Sequence, residues 1–317
     1  MRRNPLLIVG VLGFLCLAAC LAFMTLGARG SWTFILGFRG TKLLGILLVA
    51  YAIALSTVLF QTITNNRILT PSIMGFDSLY GLLQTLLVAV LGAASLSTME
   101  PRLTFVLSIA IMMGFSLILF RLLFSGALKS LHLLMLSGIV LGVLFRSLSG
   151  FIQRVLDPND FVVLQDRLFA NFNSIDAELL GVSFALVGIV SLVAWRIGHS
   201  FDVLALGRET AISLGLDYKR LTLIILILVS VLVSVSTALV GPATFFGVLV
   251  ANLAYILMPS PKHRFVIPAA VLLAVLLLAG GQTLLEHVFS FNTALSIIIE
   301  FAGGIFFILF LLRGAIR

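Results

Sequence analysis

Charge is what this sequence has least of. Only 10% of its 317 residues are Asp, Glu, Lys or Arg, while 61% are hydrophobic. A soluble domain carries about 25% charged residues, so an ordinary water-exposed surface is excluded. Cysteine is nearly absent: Cys16 and Cys20 both lie in the first apolar run, which excludes a disulfide framework or a thiolate metal centre. The four histidines, His132, His199, His263 and His287, are scattered without ligand spacing. There is no Gly-x-x-x-x-Gly-Lys-Ser/Thr phosphate loop, no His-Glu-x-x-His and no Ser/Lys or paired-Asp constellation. Nucleotide hydrolysis and intramembrane enzymology therefore find no residues here, and no cofactor is expected on this chain. The net charge of +8 does not point to nucleic acid, because bases in so apolar a chain flank membrane spans.

What is present is a series of apolar runs. A helix needs about 20 apolar residues to cross a bilayer. Runs of that kind lie near 6–27, 43–62, 78–97, 103–124, 131–155, 178–197, 220–240, 243–258, 265–285 and 293–312. The chain reads as one all-α polytopic membrane domain over 1–317 with about ten spans, the eighth short and opened by Gly241-Pro242. Leu17-Ala18-Ala19-Cys20 has the look of a lipoprotein cleavage box, but the run continues apolar to Leu26, so an uncleaved first span is expected. With the N-terminus inside, Arg2, Arg3, Arg67, Arg121, Lys129, Arg196, Arg208, Lys219, Arg220, Lys262, Arg264, Arg313 and Arg317 fall on the inner side. That is 13 of the 20 bases, against seven outside (Arg29, Arg39, Lys42, Arg102, Arg146, Arg154 and Arg167). The bias places both termini in the cytoplasm. A short echo between 54–59 and 235–239, in spans of opposite direction, has the form of an inverted repeat.

Two polar islands interrupt the pattern, both on the inner side. The first is 203–220, where Gly207 to Arg220 gathers two acids and three bases. Glu209 suits a first helical turn, Gly215 a left-handed stop, and Asp217 the cap of the next span. A helix this short is not stable alone in water, so it must lean on the membrane domain or on a partner. The second island runs from Gln61 to Ser78. Pro71 and Gly75 break helix, and Asp77 or Ser78 is placed to cap the third span.

These islands resemble motifs of the permease subunits of ABC importers for iron chelates and cobalamin. Asn66-Arg67-Ile68-Leu69-Thr70-Pro71-Ser72-Ile73-Met74-Gly75 is similar to that family's Asn-Pro-Leu-Ala-Asp-Pro-x-x-Leu-Gly, with Arg67 and Thr70 replacing a proline and an acid. The form Asn-Asn-Arg-Ile-Leu-Thr-Pro resembles a ferric-siderophore subgroup. Leu206, Gly207, Ala211, Leu214 and Gly215 match the coupling loop Leu-Gly-x-x-x-Ala-x-x-Leu-Gly, and 241–247 matches Gly-Pro-Ile-Gly-Phe-x-Gly. Lys262-His263-Arg264 with Pro268 resembles the following inner turn. The family's late aspartate and arginine of the ninth span are replaced here by Gly280-Gly281-Gln282 and Glu286-His287.

The resemblance implies a type II ABC importer permease fold in a bacterial plasma membrane. It implies ATP and Mg on separate ATP-binding subunits, a second permease subunit, identical or homologous, with the subgroup resemblance favouring a heterodimer, an extracytoplasmic siderophore-binding protein and a ferric-siderophore cargo. It assigns ATPase coupling to Gly207, Arg208, Glu209, Ala211, Leu214 and Gly215, with Ala211 at the docking surface. It assigns a cytoplasmic gate to Asn65, Asn66, Leu69 and Pro71. Arg39 and Lys42 are either docking points for the binding protein or interfacial anchors. Asn171 and Asn173 are either cargo contacts or an ordinary outer loop. Arg146 and Glu300, charges within spans, are either pathway residues or a structural ion pair. A different class stays open: a secondary transporter coupled to an ion gradient, for which Glu300 is the natural residue.

Overall fold

The computed structural model describes residues 4–27, 31–125, 131–173, 175–288 and 295–312. Arg2, Arg3, Arg29, Lys129, Arg313 and Arg317, used above to orient the chain, lie outside them, as does the side chain of His132. The described residues form helices α1 (Pro5–Thr25), α2 (Trp32–Thr64), α3 (Phe76–Thr98), α4 (Pro101–Ser125), α5 (Leu131–Gln153), α6 (Pro158–Leu168) and α7 (Ala177–Arg196). The series continues with α8 (Phe201–Leu204), α9 (Arg208–Ser213), α10 (Tyr218–Val240), α11 (Phe246–Leu257), α12 (His263–His287) and α13 (Leu295–Leu312). Single 3₁₀ turns at Pro71–Met74 and Gly198–Ser200 complete the order.

Eight of these helices are long and apolar enough to cross a membrane, and α11 and α13 account for the remaining two apolar runs. The eighth run is short, as expected: α11 has 12 residues. Local chemistry sets the starts. Asn4 accepts from Leu6 N–H ahead of Pro5, Asp157 from Asn159 ahead of Pro158, Asp176 from Glu178, and Asp217 from Arg220. Each side chain satisfies an amide that the first turn leaves free.

Two boundaries differ from expectation. α2 begins at Trp32 rather than near 43, because Arg39, Thr41 and Lys42 interrupt the apolar run without breaking the helix. α3 is capped by neither Asp77 nor Ser78. It starts from Gly75, in the left-handed region at φ +88°, and Asp77 lies inside its first turn.

α2 and α10 pack together at the centre, and both are buried over most of their length. α12 lies on α2 and α1 lies outside on α12. α4 and α7 flank α10, α5 and α6 cover α3, and α11 fits against α2 and α12 and carries α13. The echo segments at 54–59 and 235–239 thus belong to helices in contact.

Small residues set the close approaches. A β-carbon on Gly247 of α11 would collide with Thr57 Oγ1 of α2. On α5, a β-carbon at Gly138 would stand 2.7 Å from Met74 Cα, and one at Gly142 would stand 3.3 Å from Gly75 Cα. Backbone-to-backbone packing of this kind is how helices associate without a hydrophobic drive between them. Gly138→Ala should force the Pro71–Met74 turn off α5 and lower stability by about 1–3 kcal/mol. Thermal unfolding in detergent checks this, with Gly150→Ala, where nothing stands within 4 Å, as the neutral control.

Candidate functional site

The loop between α7 and α10 is a compact, internally bonded unit. Gly207, at φ +96°, turns the chain into α9, and Gly215, at φ +85°, turns it out again. Leu216 N–H returns to Ala211 C=O at 3.0 Å and Gly215 N–H to Ile212 C=O at 2.9 Å, which closes the helix end. Arg208 and Glu209 are exposed in the first turn. Ala211 is completely buried, whereas Leu206, Ile212 and Leu214 are 60%, 51% and 61% exposed. The expectation that Ala211 forms the docking surface is therefore corrected. Its methyl packs inward and fixes the loop to the domain, and the outward apolar face consists of Leu206, Ile212 and Leu214.

The same loop is tied to the start of α12. Asp202 Oδ1 accepts from His263 N–H at 2.8 Å and lies 2.7 Å from His263 Nδ1. Burial pushes the Asp202 carboxyl up, but the backbone and ring bonds from His263, with the charges of His263 and Lys262, outweigh it and hold it below the ordinary range. A depressed carboxylate contributes its full stability above the unfolded value, near 3.8, and loses it as pH falls through the lower folded value. The carboxylate therefore stays charged at physiological pH.

The expected gate residues fall in two places. Asn65, at φ +49°, is the one described non-glycine residue in the left-handed region, and Asn66 Oδ1 accepts from Ile68 N–H at 2.9 Å. This turn is held by Gln61 Nε2 and Asn252 Nδ2, which donate to Arg67 C=O at 2.7 and 3.0 Å, and by Arg67 over the Tyr255 ring. A crevice of about 560 Å³ separates it from Asp202, Leu206, Lys262 and His263. Leu69 is half-buried beyond the turn, and Pro71 is buried elsewhere. Thr70, Pro71 and Ser72 line a narrow cleft with Ser56 and Thr57 of α2, Ser236 and Thr237 of α10, and Thr244. Ser56 lies eight residues before the end of α2, about 12 Å along its axis. The island is thus not one loop at the helix ends: its second half turns back into the domain.

Asp77 follows this re-entrant turn, and sequence reading had given it only a capping role. Its Oδ2 is buried without a hydrogen-bond partner. The Ser72 and Thr244 hydroxyls lie beside it, and the charges of Arg146 and Glu300 both act on it. Arg146 and Glu300 make no ion pair among the described residues. The structural-pair reading is corrected accordingly: the two charges do not meet, Asp77 is coupled electrostatically to both, and Arg146 lies exposed on α5. Signals for Asp77 were available in its position two residues after Gly75, inside an apolar run.

At the far end of α2, Arg39 and Lys42 are turned inward. Arg39 Nη1 donates to Phe23 C=O and Leu26 C=O, both at 2.6 Å, and Nη2 lies 3.7 Å from Glu286 Oε2. Lys42, 7% exposed, donates to Asn173 Oδ1 at 3.2 Å, which also accepts from Gln282 at 2.9 Å. Within the chain the two bases therefore tie helices together. Arg39 closes the last turn of α1, and both bases join α1, α2, the Asn173 loop and α12. The backbone N–H of Asn171 donates to Val240 C=O at 2.7 Å, and its side chain is exposed.

Comparison with known proteins places this geometry among membrane transporters. The profile of the FecCD transport family matches residues 9–313. The petrobactin import system permease protein YclO of Bacillus subtilis is 45% identical over 311 residues, 98% of each chain. The petrobactin import system permease protein FatC of Bacillus anthracis is 38% identical over 275 residues, 87% of this chain and 78% of that protein. A solved inward-facing structure of a metal-chelate type ABC transporter superimposes with a TM-score of 0.83 at 22% identity, covering 98% of this chain and all of that one. The last likeness establishes the type II importer permease fold.

The inward-turned arginine makes a separate expectation. Arg39→Gln should free two carbonyls of α1 and the Glu286 carboxylate, lowering stability by about 2 kcal/mol. The loss should be seen as an earlier thermal transition. A wild-type transition in this variant would show that α1 is held without Arg39.

Proposed function

The chain belongs to the FecCD transport family, and we propose that it is the transmembrane subunit of an ATP-driven importer that carries a ferric siderophore into the cytoplasm. One observation carries the reading beyond the family: a compact loop, joined to the domain through Ala211 and Asp202, presents Leu206, Ile212 and Leu214 outward on a chain that has no nucleotide-binding motif. A surface of that kind suits a separate ATP-binding subunit, which would hold ATP and Mg. The names of the relatives, petrobactin import permeases, make an iron chelate the cargo class.

In this reading the loop end is cytoplasmic, both termini lie inside, and the membrane is the bacterial plasma membrane. Arg208 and Glu209 rim the docking face. Asn65 and Asn66 with Leu69 form the inner gate, and Pro71 anchors it in the cleft. Arg146 and Asp77, with Glu300, border the pathway. A second permease, homologous but not identical, pairs with this one, and an extracytoplasmic siderophore-binding protein delivers the cargo.

Reconstitution tests this. The chain, a partner permease, an ATP-binding subunit and a binding protein in proteoliposomes should take up radio-iron as ferric petrobactin, or another ferric siderophore from a panel, only with ATP. Uptake by this chain alone on a proton or sodium gradient would replace the reading with a secondary transporter. Within the assembly, Leu214→Asp should abolish ATPase association at unchanged thermal stability. Ala211→Trp should instead lower stability by about 1–3 kcal/mol through overpacking. Co-purification and thermal unfolding, measured together, separate the two effects.

A further inference from the structure

His263 bonds through both ring nitrogens to two different segments of the chain. Nδ1 faces Asp202 of α8, next to the coupling loop, and Nε2 lies 2.7 Å from Thr62 Oγ1, in the last turn of α2 beside the gate turn. The residue is 4% exposed and its own N–H also holds Asp202. We infer that His263 is a positioning residue that transmits displacement of the coupling loop to the Asn65–Arg67 gate turn. The inference rests on the importer role proposed above.

The hydrogen-bond chemistry defines two positions for this link. A carboxylate only accepts, so Nδ1 carries the hydrogen. In the neutral ring Nε2 is then an acceptor, and the Thr62 hydroxyl donates to it. The same hydroxyl lies 2.8 Å from Val58 C=O, one turn back in its own helix. Its single hydrogen has two acceptors, so Thr62 can release His263 without leaving its hydroxyl unbonded. A link that opens at low cost and recloses in one geometry is a two-state element, as coupling between distant sites requires. A second polar bond from this region to the end of α2, Tyr218 OH to Ile63 C=O, is longer at 3.4 Å. The order acid, imidazole, hydroxyl is also that of a nucleophilic relay. Thr62 is 4% exposed, however, and its hydroxyl is already engaged by the ring and by Val58 C=O of its own helix.

Two amide substitutions divide the bridge. His263→Asn keeps a group at the Nδ1 position, facing Asp202, and His263→Gln keeps one at the Nε2 position, facing Thr62; neither spans both. Thr62→Val removes the hydroxyl at nearly constant shape, and Thr62→Ser restores it. In the reconstituted assembly, His263→Asn, His263→Gln and Thr62→Val should retain ATPase association and basal ATP hydrolysis. Radio-iron uptake per ATP should fall at least about fivefold. A cysteine at Asn66 should no longer change its thiol reactivity between nucleotide-free and nucleotide-bound states. Thr62→Ser should restore both readouts, and Thr62→Val added to His263→Asn should cause no further loss. Wild-type uptake per ATP and wild-type Asn66 reactivity changes in Thr62→Val would overturn the inference, as would parallel loss of assembly, hydrolysis and uptake in all variants. If the wild-type chain itself did not assemble with an ATP-binding subunit, the importer reading would fall with it.

Discussion

In a chain this apolar, every backbone amide and carbonyl freed by a break in a helix must find a partner inside the protein. Hydrocarbon offers none, and each unsatisfied group costs several kcal/mol. The breaks here are numerous, and side chains from other helices answer them. Arg39 takes the last carbonyls of α1. α3 is broken at Gly92, φ +76°, and Ala93 N–H, beside the break, donates to Asp160 of α6 at 3.0 Å. Gln61 and Asn252 both reach the Arg67 carbonyl where α2 ends. The scarce polar residues are thus concentrated where the backbone needs them. That is why so few are free to face a partner.

The same constraint shapes the region between the coupling loop and the cleft. A re-entrant turn at mid-domain is tolerable only if protein covers it. Gly138 and Gly142 let α5 come close enough to do so, and the hydroxyls of α2 and α10 line the other side. What results is a polar seam running from the exposed leucines of the loop, through His263, to the gate turn. It continues beyond Pro71 toward Asp77 and Glu300.

Much of this was legible in the sequence. Run length gave ten helices in order, since length and composition alone decide what can span. The turns at Gly215 and Asp217 followed from local rules, because caps depend on neighbours a few residues away. What could not be read was the destination of individual side chains. Arg39 and Lys42 sit where an exposed base would sit. Their partners, Leu26 and Glu286 for one and Asn173 for the other, are set by how α1 and α12 pack. Ala211 fitted a motif, but a motif does not say which side of a one-turn helix faces inward. Asp77 was read as a cap because Asp near a helix start usually is one, and only the re-entry of the chain before it places it inside.

The shortness of α11 has a consequence for how the protein is made. Twelve residues rise about 18 Å, well short of the roughly 30 Å apolar thickness of a bilayer. One of those residues is the buried Asn252. Such a segment cannot partition from the translocon into lipid on its own hydrophobicity. Its place in the domain is set by packing against α2, with Gly247 on Thr57, and against α12. The cleft lined by Ser56, Thr57 and Ser72 is therefore complete only when Thr244 and Gly247, from the last third of the chain, are in place.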